Sequence, residues 1–127
     1  MVGKQAIRVL TVDDSRTMQG MLRKALEGGG YDVIQGEDGV AGLEVLQAAN
    51  PPPNAIITDI NMPRMDGFGL IEAVRKMDQF RHIPIIVLTT ESGPEKKARA
   101  REAGATGWIV KPFSTDSLVA AIRRVTA

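Results

Sequence analysis

The 127-residue sequence predicts an α/β fold, a doubly wound parallel sheet of five strands carrying five helices. Two observations lead there. Five short, nearly continuous apolar segments recur along the chain, and helical periodicity follows each of them. No linker longer than a turn, internal repeat or low-complexity run interrupts the alternation, so residues 1–127 are expected to form a single domain. Strands this apolar must be covered on both faces, and right-handed crossover helices provide that cover.

The first unit opens with "IRVLTV" (Ile7 to Val12), which is short and rich in β-branched residues. "DDS" offers Asp14 or Ser15 as the N-cap of a helix whose Met18, Met21, Leu22, Ala25 and Leu26 share one face. Gly28 to Gly30 stop that helix. A second strand around Asp32 to Gln35 leads through "GEDG" to a helix carrying Val40, Leu43, Leu46 and Ala49. The prolines of "NPPPN" (Asn50 to Asn54) end it, because they can neither donate nor continue the helix. The third strand, Ala55 to Asp59, turns through "NMPRMDG" into a helix with Leu70, Ile71, Val74 and Met77 on one side. "PIIVLTT" (Pro84 to Thr90) is the fourth strand, and "GPEKKARAREAGA" (Gly93 to Ala105) is its helix, with alanines as the only apolar residues after the proline. Such a helix buries little and is held weakly. "GWIVKP" (Gly107 to Pro112) forms the fifth strand, before a last helix with Leu118, Ile122 and Val125 inward.

Composition narrows the function classes. A formal net charge of +1, with acids and bases interspersed, leaves no electrostatic footprint for nucleic acid or an anionic membrane. The absence of cysteine removes disulfides, thiolate metal sites and a thiol nucleophile, and fits a reducing compartment. "MVGKQAIRVL" lacks the apolar block of a signal peptide, and no segment is long and apolar enough to span a membrane, so the expected location is the cytoplasm.

In an open parallel sheet, ligands bind beyond the carboxyl ends of the strands. Strand one ends in Asp13 and Asp14, strand three in Asp59, strand four in Thr89 and Thr90, and strand five in Lys111. Clustered carboxylates repel one another and lose hydration, so the group calls for a compensating cation. With oxygen ligands only, Mg²⁺ is the natural choice, bound by one or two carboxylates and open to phosphate oxygens. Lys111 adds a point charge for an anion arriving beside the metal. Taken singly, each residue has a plainer role: Asp13 and Asp14 as capping and turn residues, Lys111 as a solvated lysine, Thr89 as a strand hydroxyl bonded to backbone. Their agreement on one sheet edge favours a site.

"VDDS", "TDINMPRMDG", "LTTES" and "GWIVKPF" together resemble the signature of bacterial response-regulator receiver domains, in particular the stand-alone, CheY-like chemotaxis regulators, over essentially the whole chain. The resemblance implies a flavodoxin-like sheet in the order 2-1-3-4-5. It also implies that Asp59 is the phospho-acceptor for the phosphohistidine of a CheA-like histidine kinase. Asp14, Asp59 and the backbone carbonyl of Asn61 would coordinate Mg²⁺, with Asp13 acting through a metal-bound water. Thr89 and Lys111 would each bond a phosphoryl oxygen, and Lys111–Pro112 would be cis.

The same resemblance implies that Thr89 moves toward the phosphoryl group while an aromatic residue of strand five turns inward. That residue is Trp108 here, where relatives carry tyrosine or phenylalanine; alternatively it is a half-buried strand residue with its N–H in water. Thr90 replaces a smaller residue and narrows access to the phosphoryl group, and Asn61 and Glu91 match members that dephosphorylate themselves rapidly. Lys96, Lys97, Arg99 and Arg101 are either a solvated face or, with strand five and the last helix, a docking surface for an acidic or mixed-charge partner. His82 falls at the opposite sheet edge and is expected on the surface. With no room left for an output domain, a monomer signalling by protein contact is expected, most simply to the flagellar motor switch. A phosphorelay intermediate or phosphate sink is the alternative. A small aspartate-nucleophile phosphatase fits less well, because position 61 is Asn and no cap insert is present.

Overall fold

The computed structural model describes residues 6–127. Its elements run β1 (Arg8–Val12), α1 (Arg16–Gly28), β2 (Asp32–Gly36), α2 (Gly39–Ala48), β3 (Ala55–Thr58), α3 (Gly67–Lys76), β4 (Ile85–Thr89), α4 (Pro94–Ala103), β5 (Gly107–Val110) and α5 (Thr115–Val125). The sheet has the order β2-β1-β3-β4-β5, and every pairing is parallel. Both the fold class and the strand order agree with expectation. Asp59, Thr90 and Lys111 each lie one residue beyond the strand they were read as ending, and β2 continues to Gly36.

The period-two alternation of the strands divides the core in two. Leu10, Val12, Ile56, Ile85 and Val87 face Leu46 of α2, Phe68, Leu70, Ile71 and Val74 of α3, and Ala100 of α4. Val9, Ala55, Ile57, Ile86 and Leu88 face Leu22, Ala25 and Leu26 of α1 and Leu118 and Ile122 of α5. Each fully buried leucine or isoleucine contributes about 1.5–3 kcal/mol, so the two-sided packing explains why β3 and β4 carry no polar residue before their last position. Met21 departs from the expected apolar face of α1. It is 47% exposed, because α1 contacts the sheet through the narrower stripe of Leu22, Ala25 and Leu26.

Four helices start on a side-chain cap: Ser15, Asp38, Asp66 and Ser114 accept from the backbone N–H of Met18, Ala41, Gly69 and Ser117. Each such cap stabilises its helix by about 1 kcal/mol. In contrast, α4 starts at Gly93–Pro94 with no side-chain cap and buries only Ala100. Its far end is well anchored. The guanidinium of Arg75 donates to the carbonyls of Gly104 (3.0 and 2.8 Å), Arg81 (2.9 Å) and Ile83 (2.7 Å), joining the end of α4 to α3 and the approach to β4. Gly104 itself takes φ 117°, a conformation that favours glycine. The peptide bonds Lys111–Pro112, as the resemblance implied, and Asn50–Pro51 are cis.

Register brings Val12 level with Gly36 and Thr58, and Thr89 level with Val110, so Asp13, Asp59, Thr89 and Lys111 emerge at one sheet edge. His82 is exposed in the connection leading into β4. Beneath the acidic edge, a Cβ on Gly67 would lie 2.2 Å from the Asp59 carbonyl oxygen, whereas one on Gly20 in α1 would meet nothing within 4 Å. Gly67→Ala is therefore expected to lower unfolding free energy by about 1–3 kcal/mol through forced backbone displacement. Gly20→Ala should raise it by about 0.5–1 kcal/mol through reduced chain entropy. Urea titration of the two variants checks the opposite signs.

Candidate functional site

The backbone of β1 and β3 brings the acidic groups together before any side-chain contact does. Asp59 donates its N–H to the Val12 carbonyl at 3.0 Å, and Asp13 donates to the Gly36 carbonyl at 3.2 Å. One oxygen from each of Asp13, Asp14 and Asp59 lies within 4.8 Å of the others. Asp13 is 2% exposed, while Asp14 is open to solvent and accepts no hydrogen bond among the described residues.

Lys111 holds this cluster together. Its ammonium donates to Asp13 Oδ2 at 2.9 Å and to Asp59 Oδ2 at 2.7 Å. The remaining oxygens are also committed: Asp13 Oδ1 accepts from the Ser15 N–H at 2.9 Å and Asp59 Oδ1 from the Ile60 N–H at 2.6 Å. Burial disfavours the charge on Lys111, but its hydrogen bonds to Asp59 and Asp13 and their negative charge outweigh that effect and raise its pKa. Three carboxylates and one ammonium leave a formal charge of −2, matched to a divalent cation. The donors are all oxygen, one carboxylate is unengaged and faces water, and the group fits a hard cation of the Mg²⁺ or Ca²⁺ kind.

The loop after β3 is held from two sides. Arg64, at φ 64°, forks onto the buried carboxylate of Asp38 with bonds of 2.8 and 3.1 Å, and the Gly39 N–H donates to the Met65 carbonyl at 3.1 Å. The hydrogen bond from Arg64, with that from the Ala41 N–H, lowers the pKa of Asp38. Asn61, two residues past Asp59, is exposed and donates through Nδ2 to Glu91 Oε1 at 3.2 Å. The same oxygen accepts from Lys96 Nζ at 2.9 Å, and these two bonds, Lys96 first, lower the pKa of Glu91.

Thr89 is fully buried at the end of β4, and its hydroxyl accepts from the Glu91 N–H at 3.2 Å, leaving its hydrogen available to donate. Thr90 is exposed. Trp108, opposite Val87 on β5, is half-buried and lines a groove of about 170 Å³ with Lys97, Ala100 and Arg101 of α4. Arg99, grouped with those lysines in sequence, instead stacks its guanidinium 4.0 Å from the centre of the Phe68 ring.

Sequence reasoning missed Thr11, Gln19 and Gln35, which form a polar network under α1. A signal was present: Gln19 precedes Leu22 and Leu26 by three and seven residues and so shares their inward face. Arg64 and Arg75 were also missed, and nothing in their spacing distinguishes them from surface arginines.

Lys111→Met would leave two nearly buried carboxylates facing each other, and a loss of about 3 kcal/mol in unfolding free energy at neutral pH is expected. Because the native lysine pKa is raised, the stabilisation is complete below the pKa of the unfolded lysine and lost as pH rises through the native value. The variant should lack that alkaline loss, and Mg²⁺ should narrow the gap at neutral pH by binding the folded state. Denaturant titration across pH, with and without Mg²⁺, checks all three.

Residues 9–123 match the family model of the response regulator receiver domain. The chain is 42% identical over 113 residues to the chemotaxis protein CheY1 of Helicobacter pylori, covering 88% of this chain and 90% of that protein. It is 36% identical over 116 residues to the sensor histidine kinase CheAY of the same organism, covering 91% of this chain but only 14% of the kinase. Among solved structures, the chemotaxis response regulator CheY4 of Vibrio cholerae superimposes with a TM-score of 0.88 at 42% identity, over 95% of this chain and 99% of the other. With the acidic edge, the strand order and these likenesses in agreement, the chain belongs to the family of response regulator receiver domains, in its CheY-like chemotaxis branch.

Proposed function

We propose that the protein is a phosphorylation-activated signalling protein in which Asp59 accepts a phosphoryl group. The observation that carries this is the Asp59 carboxylate, bonded at 2.7 Å to Lys111 and grouped with Asp13 and Asp14 at the carboxyl edge of the sheet. A carboxylate oxygen of Asp59 attacks phosphorus, the phosphorus–nitrogen bond of the donor phosphohistidine breaks, and the imidazole leaves with the bonding electron pair. Asp59 becomes an aspartyl phosphate. Transfer of this kind needs positioning and charge neutralisation more than covalent assistance, which suits an ammonium already held at the nucleophile.

Asp14, Asp59 and the backbone carbonyl of Asn61 would hold Mg²⁺, with Asp13 acting through a bound water. The ion, when bound, supplies positive charge for the oxygens of the transferring group. Lys111 exchanges a carboxylate contact for a phosphoryl oxygen, and the Thr89 hydroxyl donates to another. Glu91 is tied to Asn61 and Lys96, so a change at Asn61 reaches the start of α4 directly. The partner surface comprises Trp108, Thr90, Glu91, Lys96 and Lys97, with Arg99 beside them on Phe68.

The donor in this reading is a CheA-like histidine kinase, supported by the similarity to CheAY, and the receiver of the signal is the flagellar motor switch, supported by the likeness to chemotaxis proteins. The protein acts in the cytoplasm as a monomer, and its phosphoryl group is short-lived. Among the described residues, no helix is long and apolar enough to cross a membrane.

Incubation with acetyl phosphate and Mg²⁺ should add one phosphoryl group to the intact mass and change Trp108 fluorescence. EDTA and Asp59→Asn should each abolish the gain. An unmodified native chain, under conditions that modify a known receiver, would defeat the reading. Binding of the phosphorylated form to a motor-switch peptide separates the motor role from that of a phosphate sink.

A further inference from the structure

We infer that Gln19 is a positioning residue for the metal site, an assignment that rests on the cation site proposed above. Its side chain is half-buried on α1 and reaches under the acidic edge. Nε2 donates to the carbonyls of Gly36 at 2.8 Å and Asp13 at 3.1 Å, with a longer contact to Thr11 O at 3.4 Å. Three carbonyl oxygens offer only acceptors, so only the amino end of the carboxamide can face them. Its Oε1 accepts from the Thr11 hydroxyl at 2.7 Å and from Gln35 Nε2 at 3.0 Å. Gln35 also donates to the Thr11 hydroxyl at 3.0 Å and the Gln19 carbonyl at 2.9 Å, and accepts from Arg23.

The consequence falls on Asp13. Its N–H is bonded to Gly36 O, its carbonyl to Gln19, one carboxylate oxygen to the Ser15 N–H and the other to Lys111. Gln19 thus grips both the Asp13 carbonyl and the carbonyl that receives the Asp13 N–H. The peptide joining Asp13 to the open ligand Asp14 begins at that gripped carbonyl. Removing the amide leaves the direction of Asp14 to a loop that has lost two of its backbone ties.

Two substitutions separate positioning from stability. Gln19→Met keeps the length of the side chain and removes its donors. Thr11→Val breaks the same buried network but leaves the Gln19 amide on the Asp13 and Gly36 carbonyls. In metal-free protein, Gln19→Met should speed hydrogen exchange at the Asp13 and Ser15 amides by about tenfold relative to Thr11→Val, the effect of losing one to two hydrogen bonds. Titration with Mg²⁺, read by Trp108 fluorescence or calorimetry, should show a dissociation constant raised by about tenfold in Gln19→Met and changed less than about twofold in Thr11→Val. Equal effects of the two variants on exchange and on Mg²⁺ affinity would overturn the assignment, reducing Gln19 to a stability residue. Failure of the native chain to bind Mg²⁺ would instead remove the metal site, and with it the assignment, whatever the exchange rates show.

Discussion

Everything at the functional edge depends on one ammonium group. Two carboxylates about 5 Å apart repel by about 3 kcal/mol at the effective dielectric of a protein surface, and the cluster holds three of them within 4.8 Å. Lys111 bonds the two that are least exposed to water. It reaches them from the end of β5, across the whole width of β4 from β3. The ends of three strands are thereby tied by charge where the backbone ladder stops, and the carboxylates stay close enough to act as one group. Such a concentration of negative charge is tolerated because a cation of the chain's own is already present.

The rest of the edge is built to keep that group from relaxing. Gly67 leaves no room for a side chain against Asp59, Arg64 ties the loop after β3 to Asp38, and Gln19 ties the loop after β1 to Gly36. These restraints fasten the loops after β1 and β3, which carry most of the site outside regular structure. On the other side of Asp59 the contacts are of another kind. Asn61, Glu91 and Lys96 form a short chain of exposed polar bonds, individually weak and easily exchanged for water.

Most of the fold was legible because it follows from two periodicities, and those are properties of the chain alone. Asp13, Asp14, Asp59 and Lys111 could be gathered from sequence for the same reason: once the strands are parallel, their last residues share an edge. The Thr11–Gln19–Gln35 network was not legible. It depends on Thr11 standing level with Gln35 across β1 and β2, a register that hydrophobic pattern does not fix. Met21 misled because its spacing is that of a core residue, yet α1 buries only the stripe of Leu22, Ala25 and Leu26. The stacking of Arg99 on Phe68 and the fork of Arg75 need tertiary contacts; the basic run of α4 hides the first, and Arg75 reads as an ordinary surface arginine.

The unequal anchoring of α4 has a mechanical meaning. Its C-terminal end is fixed by the Arg75 fork at Gly104, while its N-terminal end has no side-chain cap and is held by the Lys96–Glu91 bond. Ten residues of α-helix, Pro94 to Ala103, make a rod of about 15 Å. Were it to pivot at Gly104, such a rod would act as a lever with its long arm toward Asp59: a tilt of about 10° would carry the far end through about 2.6 Å, by the helical rise alone. The groove beside Trp108 is bounded by Ala100 and Arg101, close to the pivot, and by Lys97, further out along the arm. Such a tilt would reshape the groove as a wedge, most at the Lys97 end.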